Sequence, residues 1–388
     1  MIRRCGIWIV AAMGLVSWRV WGDVTPVPSD PGIANAAKTA VRAVDMAPYS
    51  AVIAQKISDE VNKLVQNPGD PGTVAMVRQW LITEDPPTAM PPYQEAYSQA
   101  LNRMFMSVLA QPDTPINAKI NIALVIKDLA APKMNLVPTA QKLLADKCPA
   151  VVYMGEQAAF AILRVALQNP NFKPAMRDAL LKTIVEGVEN NPDGPLAGFI
   201  ADQAYRAMNP TMWGAKLQDL QGDNLSALFD YNMKLQESRI NLYKAGVPAY
   251  PTADTFASFL LLSRDAWNAM NPDQQLKAVQ LAVNLVSLMG QRMAVTGLVG
   301  SQAQDLFEAF KEEGNWLKDL GDMLGDGQVS QAGDQISRLT GGTPLPTVKS
   351  TCEALFPAVQ QNPAFSTLEP PPKISSNSSS TPATEASQ

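Results

Sequence analysis

Apolar residues recur three and four positions apart along most of this chain, and this spacing places them on one side of a helix. Asn-Pro dipeptides interrupt the pattern, and their asparagines are Asn67, Asn169, Asn191, Asn209, Asn271 and Asn362. Because Asn is favoured just before a helix and Pro at its first position, each dipeptide predicts a point where one helix ends and another begins. The sequence therefore predicts an all-α fold with short joints.

The stretch from Pro115 to about residue 130 carries two apolar stripes, one through Ile116 and Ile120 and the other through Ile122 and Ile126. A helix that is apolar on two sides packs between layers instead of lying against a single surface. Further helices are expected at about 93–110, 137–146, 150–168, 174–190 and 195–208.

The helices of residues 111–208 form pairs about forty residues long, and Asn169 to Asn209 spans one such unit with Asn191 near its middle. This region resembles HEAT- or armadillo-type helical repeats in its spacing and its alanine-rich packing, without a diagnostic motif. The resemblance implies a stacked scaffold with an extended binding surface, and it implies no activity. An irregular helical bundle remains the alternative.

The second half has longer amphipathic helices, which predict a helical bundle. One helix is expected from Asp223 or Asn224 to Ala245, and others at about 254–269, 272–290, 301–323 and 329–339. The helix from residue 272 is two-sided, with an apolar face opposite a polar face. The polar face consists of Lys277, Gln280, Asn284, Ser287 and Gln291.

The chain begins with a pattern typical of a secretory signal, in which Arg3 and Arg4 precede the apolar run Ile7 to Val16. We expect cleavage before Asp23 and an exported protein, periplasmic or extracellular, with no transmembrane segment afterwards. An uncleaved anchor is the alternative.

Five segments are expected. Residues 1–22 form the signal peptide, 23–92 an N-terminal helical segment with Pro-rich linkers, and 93–221 the HEAT-like repeats. Residues 222–345 form the bundle, and 346–388 a linker and a disordered Ser/Thr/Pro tail. The four prolines of Thr83 to Tyr93 predict a hinge or semi-rigid spacer.

Composition excludes several functions. The net charge is −5 and no cluster of cations occurs, so a nucleic-acid partner is not expected. Histidine is absent, which excludes hydrolases that depend on a His base and removes the commonest metal ligand. No phosphate-binding glycine loop and no Cys/His zinc spacing is present, so we expect no cofactor.

The segment Asp322 to Asp334 resembles a degenerate calcium loop of the EF-hand and dockerin type. Its candidate ligands are Asp322, Asp326, Ser330 and Asp334. Leu324 and Gly333 occupy positions where such loops supply oxygen, so calcium binding would be weak. An acidic, Gly-rich turn between two helices is the simpler interpretation.

Two other features bear on function. Cys148 and Cys352 would pair as a disulfide in an exported chain, or remain two buried thiols. Glu156 lies within an otherwise apolar helix and is a candidate buried acid, but surface exposure near the helix N-terminus is the simpler interpretation. The repeat-like helices, the expected export and the missing catalytic motifs favour a non-enzymatic interaction or structural scaffold with a protein or cell-envelope partner. The alternative is a carboxylate-dependent envelope hydrolase or lyase on a helical scaffold.

Overall fold

The computed structural model describes residues 39–129, 133–169, 171–192, 196–214, 216–217, 220, 223–244, 264–296 and 301–374. These residues contain fourteen α-helices and no strand, which confirms the prediction of an all-α protein. The expected signal peptide, the start of the helix expected at 254–269 and the end of the C-terminal tail lie outside the described residues. None of the helices described is long and apolar enough to cross a membrane.

The N-terminal part contains six helices and a short 3-10 helix at Lys133–Leu136. The helices are α1 (Ser50–Gln66), α2 (Pro71–Thr83), α3 (Pro91–Leu109), α4 (Ile116–Asp128), α5 (Val137–Leu144) and α6 (Pro149–Ala166). In α1 the buried Ile53, Ile57 and Val61 recur every fourth residue and form its inner face. The Asp70 side chain accepts a hydrogen bond from Gly72 N and caps α2.

The contacts among these helices follow a regular order. Each of α1 to α4 contacts the helix two places further along the chain, so that α1 packs on α3, α2 on α4, α3 on α5 and α4 on α6. Sequential neighbours also touch, as in α1 with α2 and α5 with α6. Ile122 and Ile126 of α4 are fully buried, and Gly155 allows the backbone of Leu144 to lie 3.1 Å from where a Cβ would be.

The expected hinge at residues 83–93 is a fixed turn in the structure. Pro91 and Pro92 lie in the first turn of α3, where a proline costs no helical hydrogen bond. The rings of Tyr93 and Tyr97 stack 5.7 Å apart, and their hydroxyls donate to the carbonyls of Glu84 and Leu81 at the end of α2. These tyrosine contacts hold the turn against the end of α2, and the sequence alone does not indicate them.

Three helices follow: α7 (Pro174–Glu189), α8 (Ala197–Met208) and α9 (Asn224–Lys244), with a 3-10 helix at Pro210–Trp213 between α8 and α9. Asn169 Oδ1 accepts from Asn171 N at 2.9 Å, and α7 begins at Pro174, four residues after the Asn-Pro dipeptide. Arg177 is buried in α7 and donates to both carboxylate oxygens of Asp223, at 2.9 and 3.2 Å. Burial lowers the pKa of Arg177, but the hydrogen bond to Asp223 contributes to a net rise.

By their contacts the residues form two compact units. The first contains the chain up to Gly187 together with Arg206–Asn224, and the second contains Val188–Tyr205 and the chain from Leu225 onward. The expected segment boundary at residue 93 lies inside the first unit and does not divide it.

The second unit continues with five helices. They are α10 (Arg264–Ala269), α11 (Pro272–Thr296), α12 (Ser301–Leu324), α13 (Gly327–Ser337) and α14 (Leu345–Gln360), followed by a 3-10 helix at Pro363–Phe365. Helix α11 packs against α12 and α14, and α13 packs against both α12 and α14. The α12–α13 pair is a tight hairpin lined by Gly314, Gly321 and Gly333.

Helix α14 corrects the prediction that a linker begins at residue 346. Its buried Val348, Cys352, Leu355 and Val359 recur every three or four residues, so it has an ordinary inner face. Pro346 lies in the first turn of the helix, where a proline costs no helical hydrogen bond, whereas Pro357 lies inside the helix and has no N–H to donate to the carbonyl of Glu353.

Candidate interaction site

Two glutamines of α11 hold an extended stretch of the C-terminal segment. Gln280 Oε1 accepts from Glu369 N at 2.7 Å, and Gln280 Nε2 donates to Glu369 O at 2.9 Å. Gln291 Oε1 accepts from Ile374 N at 2.9 Å, and Gln291 Nε2 donates to Pro372 O at 2.9 Å. We call Gln280 and Gln291 the glutamine clamp. Each of them gives the peptide backbone one donor and one acceptor.

Two further polar side chains of α11 orient the clamp. Gln280 Nε2 also donates to Asn284 Oδ1 at 2.9 Å, and Gln291 Nε2 donates to Ser287 Oγ at 3.1 Å. A primary amide has two N–H donors and one carbonyl oxygen, so the bonds on Nε2 match its donors and both side chains are satisfied. The clamp amides are therefore held with their donors and acceptors already directed at the bound backbone.

The spacing of the clamp matches the spacing of the bound backbone. Gln280 and Gln291 are separated by about three helical turns, which places them on the same face and roughly 16 Å apart along the axis. Residues 369 to 374 cover about 15 Å if they are extended at the polyproline II rise. The segment therefore runs along α11 in the same direction as the helix, without compression or slack.

The segment enters this site from a buried anchor. Phe365 and Leu368 are buried, and the 3-10 helix that contains Phe365 contacts both α11 and α14. After Leu368 the residues are only partly covered, with Glu369, Pro370 and Lys373 exposed. The core therefore fixes the start of the segment, whereas the clamp directs the rest.

The N-terminus of α11 is fixed to α9 by Gln274. Asn271 Oδ1 accepts from Gln274 N, and Gln274 Oε1 accepts from Asn271 N, which is a reciprocal capping box. Gln274 Nε2 then donates to Ser226 Oγ at 2.9 Å and Asp230 Oδ1 at 2.7 Å. The Asn-Pro dipeptide at Asn271 starts a helix as predicted, and the capping residue also joins two helices.

Glu156 and Glu313 are buried acids that accept no hydrogen bond within the part of the chain that the structure describes. Glu156 of α6 is 0% exposed and Glu313 of α12 is 1% exposed. Burial raises the pKa of Glu156 well above its usual value, and burial followed by the charge of Glu312 raises the pKa of Glu313 to about 8. Glu156 is therefore buried, and the simpler expectation of surface exposure is wrong for this residue.

The candidate calcium ligands do not form a loop. Helix α12 continues through Asp322 to Leu324, and only Gly325 and Asp326 separate it from α13, whereas an EF-hand loop needs twelve residues. Gly325 has a φ of 69°, which suits a glycine that ends a helix. Among the described residues no group of three or more acidic, Cys or His side chains is placed to hold a metal.

Each candidate ligand has a structural partner. Asp326 caps α13 by accepting from Gln328 N and Val329 N, and it accepts from Asn362 Nδ2 at 2.6 Å. Ser330 Oγ donates to Asp322 Oδ1 at 2.6 Å, and Asp334 pairs with Arg338 at 2.7 Å. The calcium interpretation is therefore wrong in geometry, and the segment is the simple acidic turn between helices.

Cys148 in the first unit and Cys352 in the second unit are both buried. Cys352 of α14 packs against Gly290 of α11, where a Cβ would lie 2.8 Å from the Cys352 Sγ atom. Burial raises the pKa of Cys352 to about 12. The thiol therefore belongs to the core between α11 and α14.

The glutamine clamp was not predicted from the sequence. Its residues stood out only as the polar face of an amphipathic helix, and its ligand lay in a stretch expected to be a tail. The available signal was the recurrence of amide side chains after three turns, combined with a downstream proline run. Comparisons with protein-family models, curated proteins and solved structures found no match.

Proposed function

We propose that this chain is an exported, non-enzymatic scaffold whose N-terminal helices stack in a HEAT-like array and bind a protein or cell-envelope partner. The observation that carries the proposal is the sequence in which helices α1 to α6 contact one another. Each helix from α1 to α4 touches its second neighbour, as expected when helical pairs stack on one another. Such stacks present long surfaces and are commonly used for binding.

The positions of the perturbed acids also favour binding over catalysis. A glycoside hydrolase needs carboxyl groups that reach the scissile bond from both sides. Glu156 and Glu313 have the raised pKa that a general acid requires, but their side chains are enclosed and do not reach solvent. In these positions the two carboxyl groups make the stability of the fold depend on pH, and they contact no substrate.

The test is affinity capture from envelope extracts with the mature chain, using excess untagged chain as competitor. We expect one or more partners whose recovery falls with competition. The variant Ile122→Lys breaks the buried face of α4 and should abolish capture, whereas Lys127→Ala on the exposed side of the same helix should not. If no partner is enriched over the competed sample, the scaffold proposal is wrong.

Export is tested separately by fractionating cells that make the full chain or a chain without residues 1–22. We expect the full chain in the exported fraction and the shortened chain inside the cell. Equal distribution of the two would contradict the proposed signal.

A further inference from the structure

We propose that the polar face of α11 is a binding site for extended, proline-rich peptide, and that the chain's own segment from Leu368 to Ile374 is its resident occupant. This inference rests on the proposed binding function and names a partner chemistry for one surface of the second unit. The carrying observation is the double pairing of Gln280 with Glu369 and of Gln291 with Pro372 and Ile374.

The clamp recognises backbone, because all four of its bonds to the segment end on main-chain N–H or C=O groups. Such bonds hold many sequences provided that the backbone is extended. Receptors that bind extended peptides at open strand edges work in the same way, since main-chain hydrogen bonds give the affinity and pockets for single side chains add selectivity. The pocket here holds Leu368, which is buried just before the first clamped residue.

The proline run supplies the second element of selectivity. Pro370, Pro371 and Pro372 have no N–H, so the run offers no donor that would be left unpaired between the two glutamines. The donors that the clamp uses, Glu369 N and Ile374 N, lie on either side of the run. Proline also favours the extended polyproline II backbone before binding, which lowers the ordering cost.

Together these contacts define the chemistry of the ligand: an apolar residue, one residue other than proline that donates its N–H, three prolines, and two residues of which the second donates its N–H. Glu369 and Lys373 have exposed side chains, so the site does not read them. A resident segment on the same chain competes at an effective concentration of about millimolar. A peptide added to the intact protein should therefore bind weakly until the resident segment is released.

The experiment uses the full chain and a fluorescent peptide with the sequence of residues 368–376. In the variant Leu368→Glu the resident segment loses its buried anchor, and we expect this variant to bind the peptide at least tenfold more tightly than the wild-type chain. The triple variant Leu368→Glu, Gln280→Ala, Gln291→Ala should lose this binding. Asp273→Ala in the Leu368→Glu background, at an exposed position of α11 outside the polar face, should keep it.

Peptides methylated on a single backbone nitrogen test whether binding depends on the hydrogen bonds of the glutamine clamp. Methylation at Ile374 removes the N–H that Gln291 accepts and should reduce affinity at least tenfold. Methylation at Lys373, whose N–H is not used by the clamp, should change it little. Equal affinity of the two methylated peptides, or equal binding by the triple variant, would overturn the proposal.

Hydrogen exchange on the wild-type chain tests the resident state without any change to the anchor. The amides of Glu369 and Ile374 should be protected, and Gln280→Ala with Gln291→Ala should abolish that protection. Protection of Ile374 that depends on protein concentration would place the segment of a second copy in the clamp and overturn the assignment to the same chain. Failure of these measurements while envelope capture succeeds would reject this inference alone.

Discussion

Gly314 of α12 and Gly333 of α13 face each other so closely that a Cβ on either residue would lie 2.6 Å from the carbonyl oxygen of the other. The neighbouring contacts also involve backbone, since a Cβ on Gly333 would meet Lys318 N and one on Gly314 would meet Ser337 N. Backbone atoms cannot move aside as the end of a side chain can. The close packing of this hairpin therefore requires glycine, which has no Cβ, at both positions.

Gly333→Ala should lower the free energy of unfolding by about 1–3 kcal/mol, because the overpacked methyl forces the two helices apart. Gly327→Ala is the matched control, since it lies in the same helix and its Cβ would meet nothing within 4 Å. That change should be neutral or stabilise by up to about 1 kcal/mol through helix propensity. Urea unfolding of both variants measures the difference, and equal effects would contradict the close packing.

Glu313 should make the protein less stable as pH rises from its usual pKa of 4.5 to about 8. In this interval the buried carboxyl is protonated in the folded state and ionised in the unfolded state, so the unfolded state binds fewer protons. The free energy of unfolding should then fall by about 1.4 kcal/mol per pH unit from this group. Its contribution is fully present below pH 4.5.

Glu313→Gln removes this titration and should flatten the pH dependence of urea unfolding between pH 5 and 8. The variant should equal the wild-type chain near pH 5 and exceed it at pH 8. Glu308→Gln, at an exposed position of the same helix, should leave the slope unchanged. Parallel profiles for Glu313→Gln and the wild-type chain would show that the carboxyl is not buried in the folded protein.

Gln274→Glu tests whether the hydrogen bonds from Gln274 to α9 outweigh the general preference for glutamate at this position of a helix start. A glutamate at this capping-box position is ordinarily favourable. Here the side-chain nitrogen donates to Asp230 Oδ1 and to Ser226, so a carboxylate would face another carboxylate and a carbonyl. We expect Gln274→Glu to lower the free energy of unfolding at pH 7 by about 1–3 kcal/mol.

The loss should shrink near pH 4, where protonation restores a donor, and this is measured by urea unfolding at both pH values. Gln328→Glu makes the same change in the first turn of α13 at an exposed position and should be neutral or slightly stabilising. A similar gain at residue 274 would mean that the contacts to α9 do not form.

Cys352 should react with a thiol reagent only when the protein unfolds, because it is buried and its raised pKa of about 12 keeps it protonated at pH 8. We expect labelling of Cys352, followed by mass spectrometry of its peptide, to be slow in buffer and complete in concentrated urea. Prior reduction should change neither result. If Cys352 were labelled in urea only after reduction, the result would support the disulfide between Cys148 and Cys352.

The sequence predicted the elements that depend on local pattern. The helices at α3 to α8 follow from apolar spacing, and Asn271 and Asn362 begin helices because Asn-Pro suits that position. Helix α14 was not predicted, although its buried Val348, Cys352, Leu355 and Val359 recur at helical spacing.

The candidate site could not be predicted in the same way, since it joins residues far apart in sequence. Gln280 and Glu369 are 89 positions apart, and no local period relates a helical amide to a distant extended backbone. The Asp326 contact with Asn362 has the same origin, at a separation of 36 residues. The sequence pattern identified the glutamines as part of a polar helix face, but only the structure showed which backbone they bind.

Asp326 should stabilise the protein as a helix cap and should do so without calcium. Its carboxylate accepts from Gln328 N at 3.0 Å and Val329 N at 3.2 Å, and it satisfies the Asn362 amide. Asp326→Ala removes all three bonds and should lower the free energy of unfolding by about 1–2 kcal/mol. Asp322→Asn keeps an oxygen acceptor for Ser330 and should have little effect.

Thermal unfolding of the wild-type chain and both variants in millimolar calcium and in chelator separates the two roles of this turn. A cap acts through backbone N–H groups, so the Asp326→Ala loss should be the same in both buffers. A calcium loop would raise the unfolding temperature of the wild-type chain with calcium, since a ligand that binds the folded state stabilises it. If calcium raised the unfolding temperature of the wild-type chain but of neither variant, that result would support a calcium site at this turn and contradict the capping role.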